Sequence, residues 1–110
     1  MPDVGTHLSD TGIARLQNAI RRLSGCESGY VETVIVSESF HGFKTNRMWQ
    51  GEVLVFEICG HPEAKRAYAW SVLEDGQTRH VIVLEVPPVT SPQTAVQAAI
   101  AAQIANGTYR

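Results

Sequence analysis

The sequence predicts one α+β domain: helix, four antiparallel strands in a meander, helix, with both helices on one face of the sheet. Three observations predict it. An apolar stripe at helical spacing opens the chain, four β-rich runs separated by turn signals fill its middle, and an Ala-rich capped segment closes it. At 110 residues the chain matches the usual size of a single domain, with residues 1–8 expected as a flexible tail. Its apolar content of 44% and charged content of 18% fit a globular protein with one real core.

The first helix is expected to start at Ser9 as N-cap, with Leu8 and Ile13 in the positions of a hydrophobic staple. Ile13, Leu16, Ile20 and Leu23 then recur on one stripe, and Gly25 ends the helix. Tyr30 to Ser37, rich in Val, Ile and Thr, reads as the first strand. Ser39 to Gln50 reads as a long loop, and Glu52 to Cys59 as the second strand. Gly60-His61-Pro62 signals a turn before a third strand, Arg66 to Leu73. Asp75-Gly76 is a two-residue hairpin signal, and Thr78 to Val86 is the fourth strand, stopped by Pro87 and Pro88. Ser91 then caps a helix with Pro92 in its first turn, and Asn106-Gly107 closes it.

Turn chemistry gives a register. A two-residue turn at Asp75-Gly76 sets Trp70 opposite Val81 and Tyr68 opposite Val83. A four-residue loop from His61 to Ala64 would set Phe56 opposite Ala69 and Val55 opposite Trp70. One sheet face then carries Leu54, Phe56, Ile58, Ile82 and Leu84 around the small residues Ala67, Ala69 and Ser71, and both helices are expected there. The other face carries Val53, Val55, Tyr68, Trp70, Val72, Val81 and Val83, rimmed by Arg66 and Glu85. Left open, that face exceeds the apolar patch that a monomer normally exposes, so a second copy of the chain is expected to cover it. The 24 residues between Glu85 and Arg110 contain no charge, which fits either a helix packed tightly into its own core or close contact between subunits.

Chemistry is sparsely marked. The 39–50 segment combines His41, Phe43, Lys44, Arg47 and Trp49, aromatics and bases that can stack a ring and hold a phosphate. It is the first candidate for a small ligand or a single-stranded nucleic acid. An enzyme with a pocket between subunits near His41, His61 or Glu57 is a further alternative. No H-E-x-x-H, G-x-S-x-G or C-x-x-C pattern occurs, so no catalytic residue, metal ligand or cofactor is assigned. Cys59, in an apolar run, is expected to be buried, and Cys26 to lie in a loop.

The element order resembles that of double-stranded-RNA-binding domains, which run helix, three strands, helix. The resemblance is one of topology. Those domains carry a basic cluster at the start of the last helix, whereas Ser91-Pro92-Gln93-Thr94-Ala95 has no Lys or Arg, and a fourth strand is present. With a net charge of −2 as well, nucleic acid is not the expected partner. Met1 to Asp10 lacks both a basic start and an apolar run, and no segment is a candidate membrane span, so a cytoplasmic location is expected. The expected function is a non-enzymatic binding or assembly module, dimeric through the open sheet face.

Overall fold

The computed structural model describes residues 10–41 and 46–105. Helix α1 spans Asp10–Ser24, strands β1 to β4 span Glu27–His41, Asn46–Cys59, Arg66–Glu74 and Gln77–Leu84, and helix α2 spans Pro92–Ala105. The strands form one open antiparallel sheet in the order β1-β2-β3-β4. The predicted class, element order and meander are therefore those observed. Among the described residues no helix is long and apolar enough to cross a membrane.

Local chemistry accounts for the boundaries. Gly25 takes φ +76°, and its N–H donates to the Arg21 carbonyl at 2.7 Å, which closes α1. The Arg21 guanidinium, through Nε and one terminal nitrogen, also grips both carboxylate oxygens of Glu27 at 2.9 and 2.8 Å, tying the end of α1 to the start of β1. That hydrogen bond, then the paired charge, holds the Glu27 carboxyl below its ordinary value and raises Arg21. At α2, Ser91 and Thr94 cap each other: the Thr94 N–H donates to Ser91 Oγ at 3.2 Å and the Ser91 N–H to Thr94 Oγ1 at 2.9 Å. The predicted Ser9 cap and the Asn106-Gly107 close lie outside the described residues, as does the 1–8 tail.

The Asp75-Gly76 hairpin is as predicted. Both residues have positive φ, +53° and +77°, and the ladder pairs Trp70 with Val81, Tyr68 with Val83 and Ser71 with His80. The β2–β3 register differs by two residues from expectation: Leu54 pairs with Ala69, Val55 with Tyr68, Phe56 with Ala67 and Glu57 with Arg66. The cause is His61. Its Nδ1 accepts the N–H groups of Glu63 and Ala64 at 3.0 and 2.8 Å, which widens the turn until the Ile58 N–H meets the Lys65 carbonyl at 3.0 Å. A shift of two preserves which side chains share a face.

The expected 39–50 loop is largely strand. β1 and β2 pair from Glu27–Cys59 out to His41–Asn46, so most of that segment forms the arms of a long hairpin. Val31 is an extra residue in β1, between the pairs Tyr30–Phe56 and Glu32–Val55. Before this bulge, Tyr30 faces the α1 side, where its ring meets Phe56 edge-on at 5.9 Å. After it, Val34 and Val36 face the opposite side.

The helices lie on opposite faces of the sheet, not on one. Leu16 and Ile20 of α1 pack with Leu54, Phe56, Ile58, Ala67 and Ala69. Ala95, Val96 and Ile100 of α2 pack with Val36, Val53, Val55, Tyr68 and Trp70. Size complementarity explains the division. The sheet is small at Ala67 and Ala69, where α1 brings Leu and Ile. It is large at Tyr68 and Trp70, where α2 brings mainly alanine. Two further expectations change with this packing. Cys59 is exposed, whereas Cys26, in the connection between α1 and β1 as expected, is buried in the α1 core. Leu23, in the last turn of α1, is exposed.

If α2 is the lid of the second core, Val96→Asp places an unpaired charge against Tyr68 and Trp70. A loss of at least about 3 kcal/mol in urea unfolding is expected, with a red shift of tryptophan emission. Near-native stability and unchanged emission would refute this packing.

Candidate functional site

The nine predicted interface residues occupy the α2 side of the sheet. Tyr68 is 1% exposed and Trp70 3%, with Val53 and Val55 fully covered beside them. Val72, Val81 and Val83 pack partly buried around that cluster. The surface expected to bind a second copy is thus the floor of a core roofed by α2 of the same chain. Of the two expected rim residues, Arg66 is exposed and Glu85 turns inward: it accepts the Tyr68 hydroxyl at 2.5 Å, while its own N–H donates to the Arg66 carbonyl at 2.9 Å.

Burial first, and then the hydrogen bond to the Glu85 carboxylate, pushes the Tyr68 phenol up to about 12. Folded Tyr68 therefore holds its proton more tightly than unfolded Tyr68. That contribution is intact below the ordinary value of 10 and is lost as pH rises through about 12.

Of the predicted ligand residues, Phe43 and Lys44 lie outside the described residues, and for His41 and Arg47 only the strand backbone is described. Trp49 is described: it is half-buried and packs against the margin of the α2-side core. Its ring meets Trp70 edge-on at 5.6 Å and lies over Gly51, where a Cβ would stand 3.0 Å from the ring. Residues proposed for an enzyme pocket have other occupations: His61 Nδ1 builds its own turn, and Glu57 is exposed opposite Arg66.

The structure assembles a cleft that the sequence does not announce. Arg15, Asn18, Ala19 and Arg22 lie three, four and seven residues along α1, on one side of the helix. His80 on β4 points to the same sheet face as Ile82 and Leu84, next to that side of α1. Together these five residues line a cavity of about 130 Å³. His80 is held by Ser71 Oγ at 2.9 Å from its Nδ1. Arg21, one residue from Arg22, is engaged by Glu27 and is not part of the lining. All the chargeable groups of the lining are basic.

The fold is a three-layer arrangement of helix, open antiparallel sheet and helix, with a basic cleft between the first helix and the last strand. Comparison with family models, curated proteins and solved structures gives no match for this chain.

Two outcomes test this geometry. Between about pH 10 and 12, wild-type stability should fall by about 1–2 kcal/mol more than that of Tyr68→Phe, followed by guanidinium unfolding. Equal slopes would remove the Tyr68–Glu85 bond from the account. Gly51→Val should displace the Trp49 ring, costing about 1–3 kcal/mol and altering the near-UV circular dichroism of the Trp49–Trp70 pair. An unchanged spectrum would contradict their close approach.

Proposed function

We propose that the protein is a non-enzymatic assembly module of the cytoplasm that pairs reversibly with a second copy of itself along the outer edge of β1. The supporting observation is Ile35, 61% exposed on an edge strand. An edge strand offers unpaired backbone N–H and C=O groups as a template for another strand. In β1 the proximal part of that edge is guarded. The Gln17 amide donates to the Ser28 carbonyl at 2.9 Å, Val31 bulges, and Glu32 adds charge. The next five residues, Thr33-Val34-Ile35-Val36-Ser37, are uncharged, regularly paired to β2 and rich in strand formers.

A second copy is the favoured occupant because two antiparallel β1 edges related by a two-fold axis are self-complementary and continue the sheet. Such pairing brings Ile35 of each subunit onto the same face near the axis. Glu32 and Glu38 flank the run, and like charges discourage a longer register. A contact of this length suits a reversible dimer better than an obligate one.

Light scattering across a concentration series should show a monomer–dimer equilibrium for the wild type. Ile35→Lys should yield monomers with an unchanged far-UV spectrum. A wild type that stays monomeric at its highest soluble concentration, or a Lys variant that dimerises as well as wild type, would end the proposal.

A further inference from the structure

We propose that the cleft between α1 and β4 is a binding site for the phosphate group of a small phosphomonoester, held by Arg15 and Arg22 over the His80 imidazole. This does not depend on self-association, since the cleft lies on the α1 face and the β4 edge, away from β1.

Size sets the first limit. A cavity of about 130 Å³ falls below the ~300–1,000 Å³ typical of sites that enclose a drug-sized molecule. It admits one compact group and leaves the remainder of the ligand in solvent. Charge sets the second. Arg15 and Arg22 both line the cleft, and among the described residues neither has a carboxylate partner. Arg21, which does have one, is outside the lining and serves as an internal contrast.

A phosphomonoester carries about −1.5 to −2 charges near pH 7, which matches two arginines. A carboxylate or a phosphodiester, with a single charge, would leave one of them uncompensated.

Donor geometry agrees. Each guanidinium offers a planar fork of N–H groups suited to a pair of phosphate oxygens. The Asn18 amide and His80 add donors between and below them. His80 is already oriented, because Ser71 engages its Nδ1. The remaining nitrogen, Nε2, is the one left for a ligand. Arg15 and Arg22 stand seven residues apart, about 10.5 Å along the helix axis, so their long side chains can converge on one anion from two sides. Ala19, between them, keeps the middle of the wall low.

The test is a titration of the full-length ¹⁵N-labelled chain with inorganic phosphate and with phenyl phosphate. Sodium chloride holds the ionic strength constant, and acetate and a single-stranded oligonucleotide run in parallel. Both phosphates should give saturating shifts confined to α1 and the His80 region of β4, and acetate should give none that saturate. Arg15→Gln and Arg22→Gln should each weaken phosphate binding about tenfold, and the double variant should abolish it. Arg21→Gln, which among the lining residues removes only a contact to the Asn18 amide oxygen, should weaken it no more than about twofold. These arginines are exposed, and the dispersion of each variant's spectrum reports whether it is folded. Shifts that never saturate, equal binding by the Gln variants, or equal binding of acetate would overturn the assignment. Saturable binding of the oligonucleotide without binding of either small phosphate would also overturn it, in favour of a nucleic-acid surface.

Discussion

Four residue pairs between β2 and β3 carry the architecture. Leu54–Ala69, Val55–Tyr68, Phe56–Ala67 and Glu57–Arg66 are the pairs that join the β1–β2 hairpin to the β3–β4 hairpin. Because side chains alternate along each strand, this short ladder also decides the contents of both cores. Val55 and Tyr68 go to one side, and Leu54, Phe56, Ala67 and Ala69 to the other. Each set is buried only because a helix lies over it.

The two cores solve the packing problem in opposite ways. Beneath α1 the sheet offers alanines and the helix supplies Leu16 and Ile20. Beneath α2 the sheet supplies Tyr68 and Trp70 and the helix offers Ala95 beside Val96 and Ile100. A helix without charge and rich in alanine looks poorly suited to water, yet it is well suited to lie close over two aromatic rings. With both faces of the sheet centre covered, the exposed features are at its margins: the β1 edge on one side and the basic cleft by β4 on the other. The proposed self-association and the proposed phosphate site thus use different surfaces.

Much of this was legible in the chain itself. Asp75-Gly76 fixed the β3–β4 register residue by residue, because a two-residue turn with positive φ at both positions permits one pairing. Ser91-Pro92 marked the start of α2, and the alternation along β2, β3 and β4 separated the two faces correctly. Period-two alternation does not say which helix covers which face, and there volume matching pointed the wrong way for α2. The widened turn at His61 was hidden because an imidazole that accepts two backbone N–H groups has no simple sequence signature. Residues 39–50 mix bases, aromatics and polar groups, and that composition concealed the hairpin arms. The cleft escaped notice because Arg15 and His80 are far apart in sequence and meet only once α1 lies across the sheet. The isolated spacing of Arg15 and Arg22 reads as an ordinary solvated helix face.

The bulge at Val31 makes β1 a strand of two phases. Its first half belongs to the α1 core through Tyr30, and its second half belongs to the α2 core through Val34 and Val36. A single extra residue thus lets one continuous strand serve two masters on opposite sides.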